Sequence, residues 1–566
     1  MAARTWKHNV APGGGQREPP LQLVCLQLLT PVIKDNIPHV LIAIAFIAIS
    51  TLLVLYQQSP PRPVAANAPA DVFSSGRAME NLRTIAQKPH PIGSPEHDAV
   101  RAFLLQQLTA LGLQTEVQTT AVNGRSSAAV SNIIAILKGS NSGRAVLLAA
   151  HYDTVPPSPG ASDDGAAVAA LLETARAIKT GPPLRNDLIF LFSDGEETGL
   201  LGAEAFVHQH PLAKQVALAL NFEARGSSGP SVLFETSDNN AWLIDEFAAA
   251  APYPNGNSVA YEVYRLMPNS TDMQVFKTAG VAGLNFAYFD GVNHYHSSSD
   301  DIQSMSEASL QHHGTYALAL ARHFGNASLD APSSTNAVYF DLLGRWLVHY
   351  STKWVLPSTV SIIIIFVAIT WFGLKRKKIA LPGMALGVLS FIASIFAAFG
   401  LGLLAWGLIS SANDSLGRKA TPGGNYFAAF VLVSGLIAII FYRRSFRKAT
   451  VENLAMGALA CWLLLLVITS LFAPGSSYLF FWPLLFCLAA RFIMFRAQTT
   501  PREPLKLFAL QLLLVLPAIV LLVPMIYSIF VALGFVAAMI VTPMLMLLFG
   551  LMIPQFASVT PHTRLR

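Results

Sequence analysis

The sequence predicts an α/β fold: a three-layer αβα domain with a mostly parallel sheet, joined to an α-helical transmembrane bundle, with about eight spans in total. Three observations lead to this prediction. Of the 566 residues, 53% are apolar and only 12% are charged, against roughly 25% charged in ordinary soluble domains. Short apolar runs alternate with helix-period segments between about residues 60 and 350. Long apolar runs then recur from about Val355 onward.

The charged residues divide the chain into two regions. Nearly all acidic residues lie between about residues 60 and 350, and the C-terminal region contains only Asp414, Glu452 and Glu503. The formal net charge is +6, but the basic residues of this region form short clusters between apolar runs. We therefore expect no nucleic-acid partner. The cysteines all lie outside the acidic region, which excludes a disulfide framework or a thiolate metal site there: Cys25, Cys461 and Cys487.

The N-terminal part predicts a membrane anchor. Residues 1–37 are basic and rich in Gly and Pro, and we expect them to be cytoplasmic. The segment His39–Tyr56 then provides about 18 uncharged residues, near the length that spans a bilayer, and predicts an anchor over 38–56. A cleaved signal peptide is the alternative, but the long apolar core and the Pro/Ala-rich linker predicted over 57–74 favour the anchor.

The αβα domain is predicted over 75–328, followed by a connector over 329–354. Its helix-period stretch HDAVRAFLLQQLTALGL alternates with the short apolar runs AVLLAA, DLIFLF, VALALNF and GLNFAYF. This alternation predicts an open, mostly parallel sheet with helices on both faces. Ligands of such sheets bind beyond the carboxyl ends of the strands.

About seven further spans are predicted over 355–556, with a cytoplasmic tail over 557–566. Their apolar runs cover 355–374, 379–409, 425–442, 453–472, 476–495, 506–526 and 528–553. The turn between the last two runs is marked only by Pro524, Tyr527 and Ser528.

Basic residues predict the orientation of these spans, because Lys and Arg concentrate in cytoplasmic loops. The clusters lie in alternate loops and at the end of the chain: Lys375, Arg376, Lys377 and Lys378; Arg443, Arg444, Arg447 and Lys448; Arg491, Arg496, Arg502 and Lys506; Arg564 and Arg566. The opposite loops contain only Arg418 and Lys419. Both termini are therefore expected in the cytoplasm, and residues 57–354 outside it.

Potential metal ligands follow four of the predicted strands. These are His151 and Asp153 after AVLLAA, Glu196 and Glu197 after DLIFLF, Glu223 at the end of VALALNF, and His294 and His296 after GLNFAYF, with Asp163 and Asp164 in a loop before a helix. Each group alone is typical of a solvated loop end. Together they match the imidazole and carboxylate ligands of zinc, with one carboxylate left to handle the protons of an attacking water.

These residues resemble the zinc exopeptidases related to bacterial leucyl aminopeptidase and glutamate carboxypeptidase. The family pattern of H-x-D, G-A-x-D-(D/N)-G, E-E, an acidic residue after a strand and Y-H appears in order across about residues 75–325. The segment NFEARGSSG is similar to the form found in the membrane-bound subfamily of fungal vacuolar membrane protease and endoplasmic reticulum metallopeptidase. Glu223 departs from the Asp more common at its position.

The resemblance implies two zinc ions per chain and a role for each residue. His151, Asp163 and Glu223 would hold one ion, and Asp163, Glu197 and His296 the other. Of the catalytic pair, Asp153 would orient His151 and Glu196 would act as the general base. The implied function is membrane-bound exopeptidase, with aminopeptidase favoured over carboxypeptidase and dipeptidase, and peptide substrate and lipid bilayer as partners.

Alternatives of a different class remain. The same fold can serve as a non-catalytic receptor-like or scaffolding ectodomain, but here no ligand position and no base is missing. An ion-coupled transporter is disfavoured because none of the three C-terminal acidic residues lies in the middle of a span. The host compartment stays open between a bacterial inner membrane, with the domain in the periplasm, and a vacuolar or endoplasmic reticulum membrane, with the domain in the lumen.

Several neighbouring residues are assigned lesser roles. Asp164 is expected to cap the following helix, His294 to be exposed or to support a ligand, and Asp272 to be structural. Arg225 could bind a substrate carboxylate or form a salt bridge. The remaining histidines near the site are expected at the surface: His208, His210, His312 and His313.

Overall fold

The computed structural model describes parts of 42–56 and then residues 59–122, 128–141, 143–267, 269–330, 334–416, 424–497 and 504–559. The strands are β1 (Gln114–Val122), β2 (Ala128–Leu137), β3 (Ala145–His151), β4 (Asp187–Ser193), β5 (Val216–Ala224), β6 (Val232–Thr236), β7 (Ala282–Tyr288), β8 (Ala337–Leu342) and β9 (Trp346–Ser351). The helices that precede Val355 are α1 (Ser75–Ile85), α2 (Pro95–Ala110), α3 (Gly165–Lys179), α4 (Leu201–Gln209), α5 (Ala241–Ala250), α6 (Ser258–Tyr264), α7 (Asp272–Thr278) and α8 (Glu307–Phe324).

Seven strands form one sheet in the order β1-β2-β4-β3-β5-β7-β6. The four central strands, β4, β3, β5 and β7, are parallel, whereas β1 and β2 on one side and β6 on the other pair antiparallel. The predicted mostly parallel sheet is therefore confirmed. The carboxyl ends of the four parallel strands meet at one edge, which we call the carboxyl edge of the sheet.

Both faces of the sheet are buried, and β3 shows why. Every residue of β3 is buried. Val146 and Leu148 point into a core formed with α1, α2, α3, α5 and α8, while Leu147 and Ala149 point into a second core formed with α4 and α7. Successive side chains of a strand point to opposite faces, so an unbroken apolar run requires a covered face on each side. The predicted three-layer αβα architecture is confirmed.

Helix boundaries follow local chemistry. The side chain of Ser94 accepts a hydrogen bond from the His97 N–H, and Pro95 takes the first position of α2, where a missing N–H costs nothing. Helix α3 is buried along nearly its whole length, and its small side chains allow it to lie close against the sheet.

Beyond a two-stranded hairpin of β8 and β9, the described residues are mainly helical and form α9 (Val355–Lys375), α10 (Leu381–Leu416), α11 (Gly424–Ser445), α12 (Val451–Phe472), α13 (Tyr478–Arg496), α14 (Pro504–Leu533), α15 (Ala538–Leu551) and α16 (Ile553–Val559). Six segments among the described residues are long and apolar enough to cross a membrane: Thr352–Lys375, Leu381–Ala412, Tyr426–Ser445, Val451–Phe472, Pro474–Arg496 and Lys506–Leu551. The N-terminal run expected over 38–56 is described only in part, and its described residues are helical.

The final turn lies later than expected. The sequence suggested a turn near Pro524, but Pro517 and Pro524 both lie inside the continuous helix α14. A membrane helix tolerates proline when neighbouring helices satisfy the freed backbone groups. The chain instead breaks in a 3-10 turn at Gly534–Ala537, where Gly534 has a φ of +64° that suits glycine. The run Lys506–Leu551 is therefore two helices, and the described residues after Val355 provide six candidate spans where about seven were expected.

The αβα domain sits directly on the bundle. The Ser258 hydroxyl donates to the Gly475 carbonyl at 2.7 Å, and the Gly475 N–H donates to Oε1 of Glu262 at 3.0 Å. The rings of Phe340 and Tyr478 stack with centroids 4.5 Å apart. Buried polar contacts with matched geometry fix orientation as well as position, so the domain has a defined pose over the membrane helices.

Candidate active site and metal centre

Four elements bring the predicted ligands to the carboxyl edge of the sheet. His151 is the last residue of β3, and Glu223 lies near the end of β5. Glu197 follows β4 in a tight turn, and His296 lies in the loop after β7. Asp163 arrives from the loop before α3. The topology thus gathers residues that are up to 145 positions apart in the chain (296 minus 151).

The first cluster contains His151, Asp163 and Glu223. Nε2 of His151 lies 3.3 Å from Oδ1 of Asp163 and 3.7 Å from Oε2 of Glu223. All three side chains are buried. The ligand-type atoms of the group lie within 4.8 Å of one another, as close as the ligands of one metal ion.

The second cluster shares Asp163 with the first. Nε2 of His296 lies 3.2 Å from Oδ2 of Asp163 and 3.0 Å from Oε2 of Glu197. Asp163 therefore turns one carboxylate oxygen toward each histidine. A φ of +52° at His296 places its backbone in the left-handed region, which costs free energy for a non-glycine residue and is commonest at functional sites.

These donor atoms fit divalent metal ions. Two ligand atoms of a tetrahedral zinc ion, each bound at about 2.0–2.1 Å, lie roughly 3.3 Å apart. The nitrogen-to-oxygen separations in the two clusters run from 3.0 to 3.7 Å. In addition, Oε1 of Glu197 is buried without a hydrogen-bond partner among the described residues. A buried carboxylate oxygen without a partner is costly, and a cation would satisfy it.

The electrostatics of the site also favour bound metal ions. Burial raises the pKa of Glu196 well above its usual value, and the carboxylates of Glu223 and Asp272 add to the rise against the opposing charge of His151. Burial likewise raises the pKa of Glu223. For Asp163, contacts with the two imidazoles outweigh burial and lower the pKa to about 2. The site holds more carboxylates than its two histidines can balance, so bound cations would stabilise it.

Asp153 supports three of these residues at once. Its carboxylate accepts hydrogen bonds from the backbone N–H groups of Glu196 at 3.0 Å and Glu197 at 3.3 Å. Nδ1 of His151 lies 3.1 Å from the Asp153 carbonyl oxygen and 3.5 Å from its Oδ1. The imidazole is thus held mainly through the backbone of Asp153, while the carboxylate of Asp153 fixes the turn that bears the two glutamates.

Asp300 is a supporting residue that the sequence analysis missed. Its carboxylate accepts hydrogen bonds from the backbone N–H groups of Ser162 at 2.8 Å and Asp163 at 3.1 Å, and so holds the loop of the shared ligand. Its neighbours in the run SSSDD resemble an ordinary solvated loop. No local signal distinguishes Asp300, because its partners lie 137 and 138 positions earlier in the chain.

Two neighbouring carboxylates behave differently from each other. Asp164 occupies the N-cap position of α3 but makes no capping hydrogen bond; its Oδ2 instead accepts one from the His151 N–H at 3.2 Å. The expected cap is therefore wrong, and Asp164 helps to hold a ligand strand. Asp272 accepts a hydrogen bond from the Ser193 hydroxyl at the end of β4, in agreement with a structural role.

The remaining candidates are placed as follows. His294 lies outside both clusters, with Nδ1 3.0 Å from the Ser299 carbonyl. The surface placement expected for His210, His312 and His313 is wrong: all three are buried, and only His208 is exposed. The guanidinium of Arg225 lies over the Tyr295 ring, 5.4 Å from its centroid, and no carboxylate within ion-pair distance of Arg225 is found in the described part of the chain.

An αβα sandwich with paired His and carboxylate clusters at the carboxyl edge defines a metallohydrolase type of domain. Residues 132–321 match the sequence model of "Peptidase family M28". The match covers most of the αβα domain, which is therefore similar to the metallopeptidases of family M28. The predicted family is thus confirmed.

Relatives include membrane proteins of the same type. "Endoplasmic reticulum metallopeptidase 1" of Homo sapiens is 27% identical over 393 residues, which are 62% of this chain and 43% of that protein. "Vacuolar membrane protease" of Eremothecium gossypii is 33% identical over 301 residues, 49% of this chain and 29% of that protein. The chain thus spans less than half the length of these relatives. Among solved structures, an aminopeptidase from Aneurinibacillus sp. matches with a TM-score of 0.38 and 14% identity, over 45% of this chain and 95% of the other.

Proposed function

We propose that this chain is a membrane-bound exopeptidase that uses two zinc ions to hydrolyse a terminal peptide bond. The observation that carries the proposal is the position of Asp163, which directs one carboxylate oxygen to the His151 cluster and the other to the His296 cluster. A shared carboxylate between two complete ligand sets is the arrangement that a two-metal hydrolase requires. The end proposed to be recognised is the amino terminus, and the peptide panel described below tests this choice.

In this proposal each residue has one task. His151 and Glu223 would hold one zinc ion, Glu197 and His296 would hold the other, and Asp163, which faces both histidines, would contribute to both sites. Zinc held there would supply Lewis acidity for the scissile carbonyl and for an attacking water. Glu196 lies with His151 and Glu197 in a group whose ligand-type atoms are within 4.8 Å of one another, close enough to reach a water held there.

Glu196 would act as the general base. Its carboxylate takes a proton from the attacking water and passes that proton to the leaving amine, so no covalent intermediate is needed. Asp153 supports this role because it holds the Glu196 backbone in place. A residue fixed through its backbone needs little reorganisation at the moment of proton transfer.

The orientation proposed for the catalytic domain is extracytoplasmic. The basic clusters favour a cytoplasmic position for the loop at 375–378 and for both termini. Since the αβα domain precedes α9, whose last turn carries Lys375, the domain lies on the opposite side. This proposal applies equally to a periplasmic and to a lumenal setting.

The test is hydrolysis of a peptide panel by the full chain purified in detergent with added zinc. Peptides with free ends should be shortened from the amino terminus, and N-acetylated versions should resist cleavage while C-amidated versions remain substrates. A Glu196→Gln variant prepared in parallel controls for contaminating peptidases. If the N-acetylated peptides are cleaved and the C-amidated peptides are not, the protein is a carboxypeptidase. If the zinc-loaded protein cleaves none of the peptides, the peptidase proposal is rejected.

A further inference from the structure

A cavity of about 370 Å³ lies between the αβα domain and the membrane helix α14. Val232 and Phe234 of β6 and Val263 of α6 line one wall, and Leu521, Met525 and Ile529 of α14 line the other. We call it the interface cavity. Pockets that bind small organic ligands have volumes of about 300–1,000 Å³ and mainly apolar walls, so this cavity is large enough for several apolar side chains.

Arg225 links the interface cavity to the two candidate ligand clusters. Arg225, a lining residue, comes two positions after the ligand Glu223 on the same strand end. Its guanidinium lies over the ring of Tyr295, and that ring stacks on the imidazole of His296 with centroids 3.8 Å apart. Phe289 and Asp290, which follow β7, also line the cavity. A peptide bound at the clusters therefore has the interface cavity within reach.

The other wall belongs to a helix that is too long for the bilayer. Helix α14 has 30 residues, which correspond to about 45 Å at 1.5 Å per residue, against a hydrocarbon thickness of about 30 Å. Its first residues lie near the basic cluster predicted to be cytoplasmic. The lining residues of α14 lie between positions 520 and 533, in the half of the helix that is farther from that basic cluster and packs on the side of the αβα domain.

We propose that the interface cavity is the apolar subsite of the peptidase, and that it selects peptides with hydrophobic side chains next to the cleaved terminal residue. The inference rests on the proposed exopeptidase function. The membrane helix α14 then becomes part of the specificity pocket, and its contribution is available only to the complete chain. Peptides derived from membrane segments, which are rich in such side chains, are the substrate class that fits.

The chemistry of the walls favours a peptide as occupant. The lining residues Arg225 and Asp290 follow β5 and β7, the strands that lead to Glu223 and His296, whereas the apolar lining residues come mainly from β6, α6 and α14. Val263 on the cavity rim is half exposed, so an apolar chain can enter from the solvent side. An apolar pocket of this kind discriminates a leucine side chain from a shorter one by at least about tenfold.

Two cavity-filling variants test the inference from opposite walls. Ser528 of α14 is exposed and lines the cavity, so Ser528→Trp adds volume without disturbing a buried contact. Val263→Trp does the same from α6. The matched controls are Leu513→Trp on an exposed face of α14 and Leu266→Trp after α6, both outside the lining of the cavity.

The substrates are two soluble tetrapeptides that begin with leucine and end with lysine. In one peptide the two middle residues are leucines, and in the other they are alanines. The parent protein should cleave the leucine peptide with the higher kcat/KM. Both filling variants should lower kcat/KM for the leucine peptide by at least about tenfold and leave the alanine peptide within about twofold of the parent, while the controls behave as the parent does.

Other outcomes would reject the inference. Equal losses on both peptides would show a general effect on folding or catalysis, and unchanged kinetics on both would show that the cavity does not contact substrate. If Ser528→Trp lowers the phospholipid that co-purifies with the chain but keeps the parent preference for leucine, the cavity holds a lipid chain. If the parent cleaves the alanine peptide without preferring leucine, only this inference fails; if it cleaves neither, the exopeptidase proposal fails with it.

Discussion

The backbone N–H of Glu196 donates a hydrogen bond to Oδ1 of Asp153 at 3.0 Å. The other oxygen of the same carboxylate accepts from the N–H of Glu197 at 3.3 Å, so one buried side chain sets the position of two adjacent glutamates. With both N–H groups turned toward Asp153, the two side chains are free to point in different directions. Glu197 contacts His296, and Glu196 lies in a group with His151 and Glu197, where the proposed mechanism assigns it to the reacting water.

The first prediction separates these two glutamates. Glu196→Gln keeps the shape of the side chain and removes its basicity, so the variant should bind zinc as the parent does while kcat falls by roughly two to four orders of magnitude. Glu197→Gln should instead weaken zinc binding, with activity partly restored at high zinc. Zinc content and peptide hydrolysis measured on the same samples check both statements. If Glu196→Gln lost zinc and Glu197→Gln kept it, Glu196 would be the metal ligand and Glu197 the general base.

The second prediction concerns the shared carboxylate. Because Asp163 faces both His151 and His296, Asp163→Ala should lose both metal ions rather than one. Elemental analysis of the purified full chain measures this directly. Asp330→Ala, at an exposed position paired with Arg144, provides the matched control and should retain the parental zinc content. A variant at position 163 that kept about one tightly bound zinc per chain would speak against a bridging role.

The third prediction concerns orientation. Ser411 lies near the end of α10 and Lys378 in the loop before that helix, and both are exposed. In a background without Cys25, Cys461 and Cys487, Ser411→Cys should react with a membrane-impermeant maleimide applied from outside, and Lys378→Cys should react only after the membrane is permeabilised. Ile379, next to the basic cluster, is buried and makes a poor reporter. The reverse labelling pattern would invert the topology and place the catalytic domain in the cytoplasm.

The fourth prediction follows from the buried histidine pair. Burial lowers the pKa of His313 from 6.5 to about 3 and that of His312 to about 4. The folded state therefore binds fewer protons than the unfolded state between about pH 3 and pH 6.5, and stability falls as the pH falls through that window. The Ser231 N–H donates to Nδ1 of His312, and the Ser231 hydroxyl contacts Nδ1 of His313. Nε2 of His312 lies 3.1 Å from the Tyr253 carbonyl oxygen. The aromatic rings of Phe222 and Tyr288 contact the His313 ring.

His313→Asn can keep the contact to Ser231 and removes the titration. The variant should have a lower Tm than the parent at pH 7.5 because of the lost ring contacts, but a smaller drop in Tm between pH 7.5 and pH 5. His208→Asn, at an exposed position, should keep the parental pH dependence. Scanning calorimetry or intrinsic fluorescence of the full chain at the two pH values measures the difference. An unchanged drop in the His313 variant would show that this histidine is not neutral in the folded protein.

Local sequence patterns were sufficient for the architecture. The run AVLLAAH, apolar at every position up to its last residue, predicted a strand covered on both faces, and β3 has that environment. Since polar residues follow the apolar runs of four such strands, the sequence also indicated which edge of the sheet would carry them. The structure brings those residues to within contact distance of one another. Periodicity is a local property, which is why the sequence displays it directly.

Contacts between distant segments were not readable in this way. The turn after α14 was expected at Pro524, since proline is a local breaker, but packing inside the bundle keeps α14 helical to Leu533. The buried pair His312 and His313 was expected at the surface, because its partner Ser231 lies 81 and 82 positions away and histidine alone predicts exposure.

By itself, the sequence determined the αβα domain, the membrane helices, the family and the set of candidate ligands, because each depends on the order of residues along one segment. Only the tertiary structure decided three relationships. The Asp300 carboxylate accepts a hydrogen bond from the Asp163 N–H, and the Asp153 carboxylate accepts one from the Glu196 N–H. Helix α14 lines a cavity together with Arg225. Each of these relationships joins residues that the chain separates by 43 positions or more (Asp153 to Glu196). Such pairs meet only after strand order and helix packing have been established, and no short stretch of sequence encodes that order.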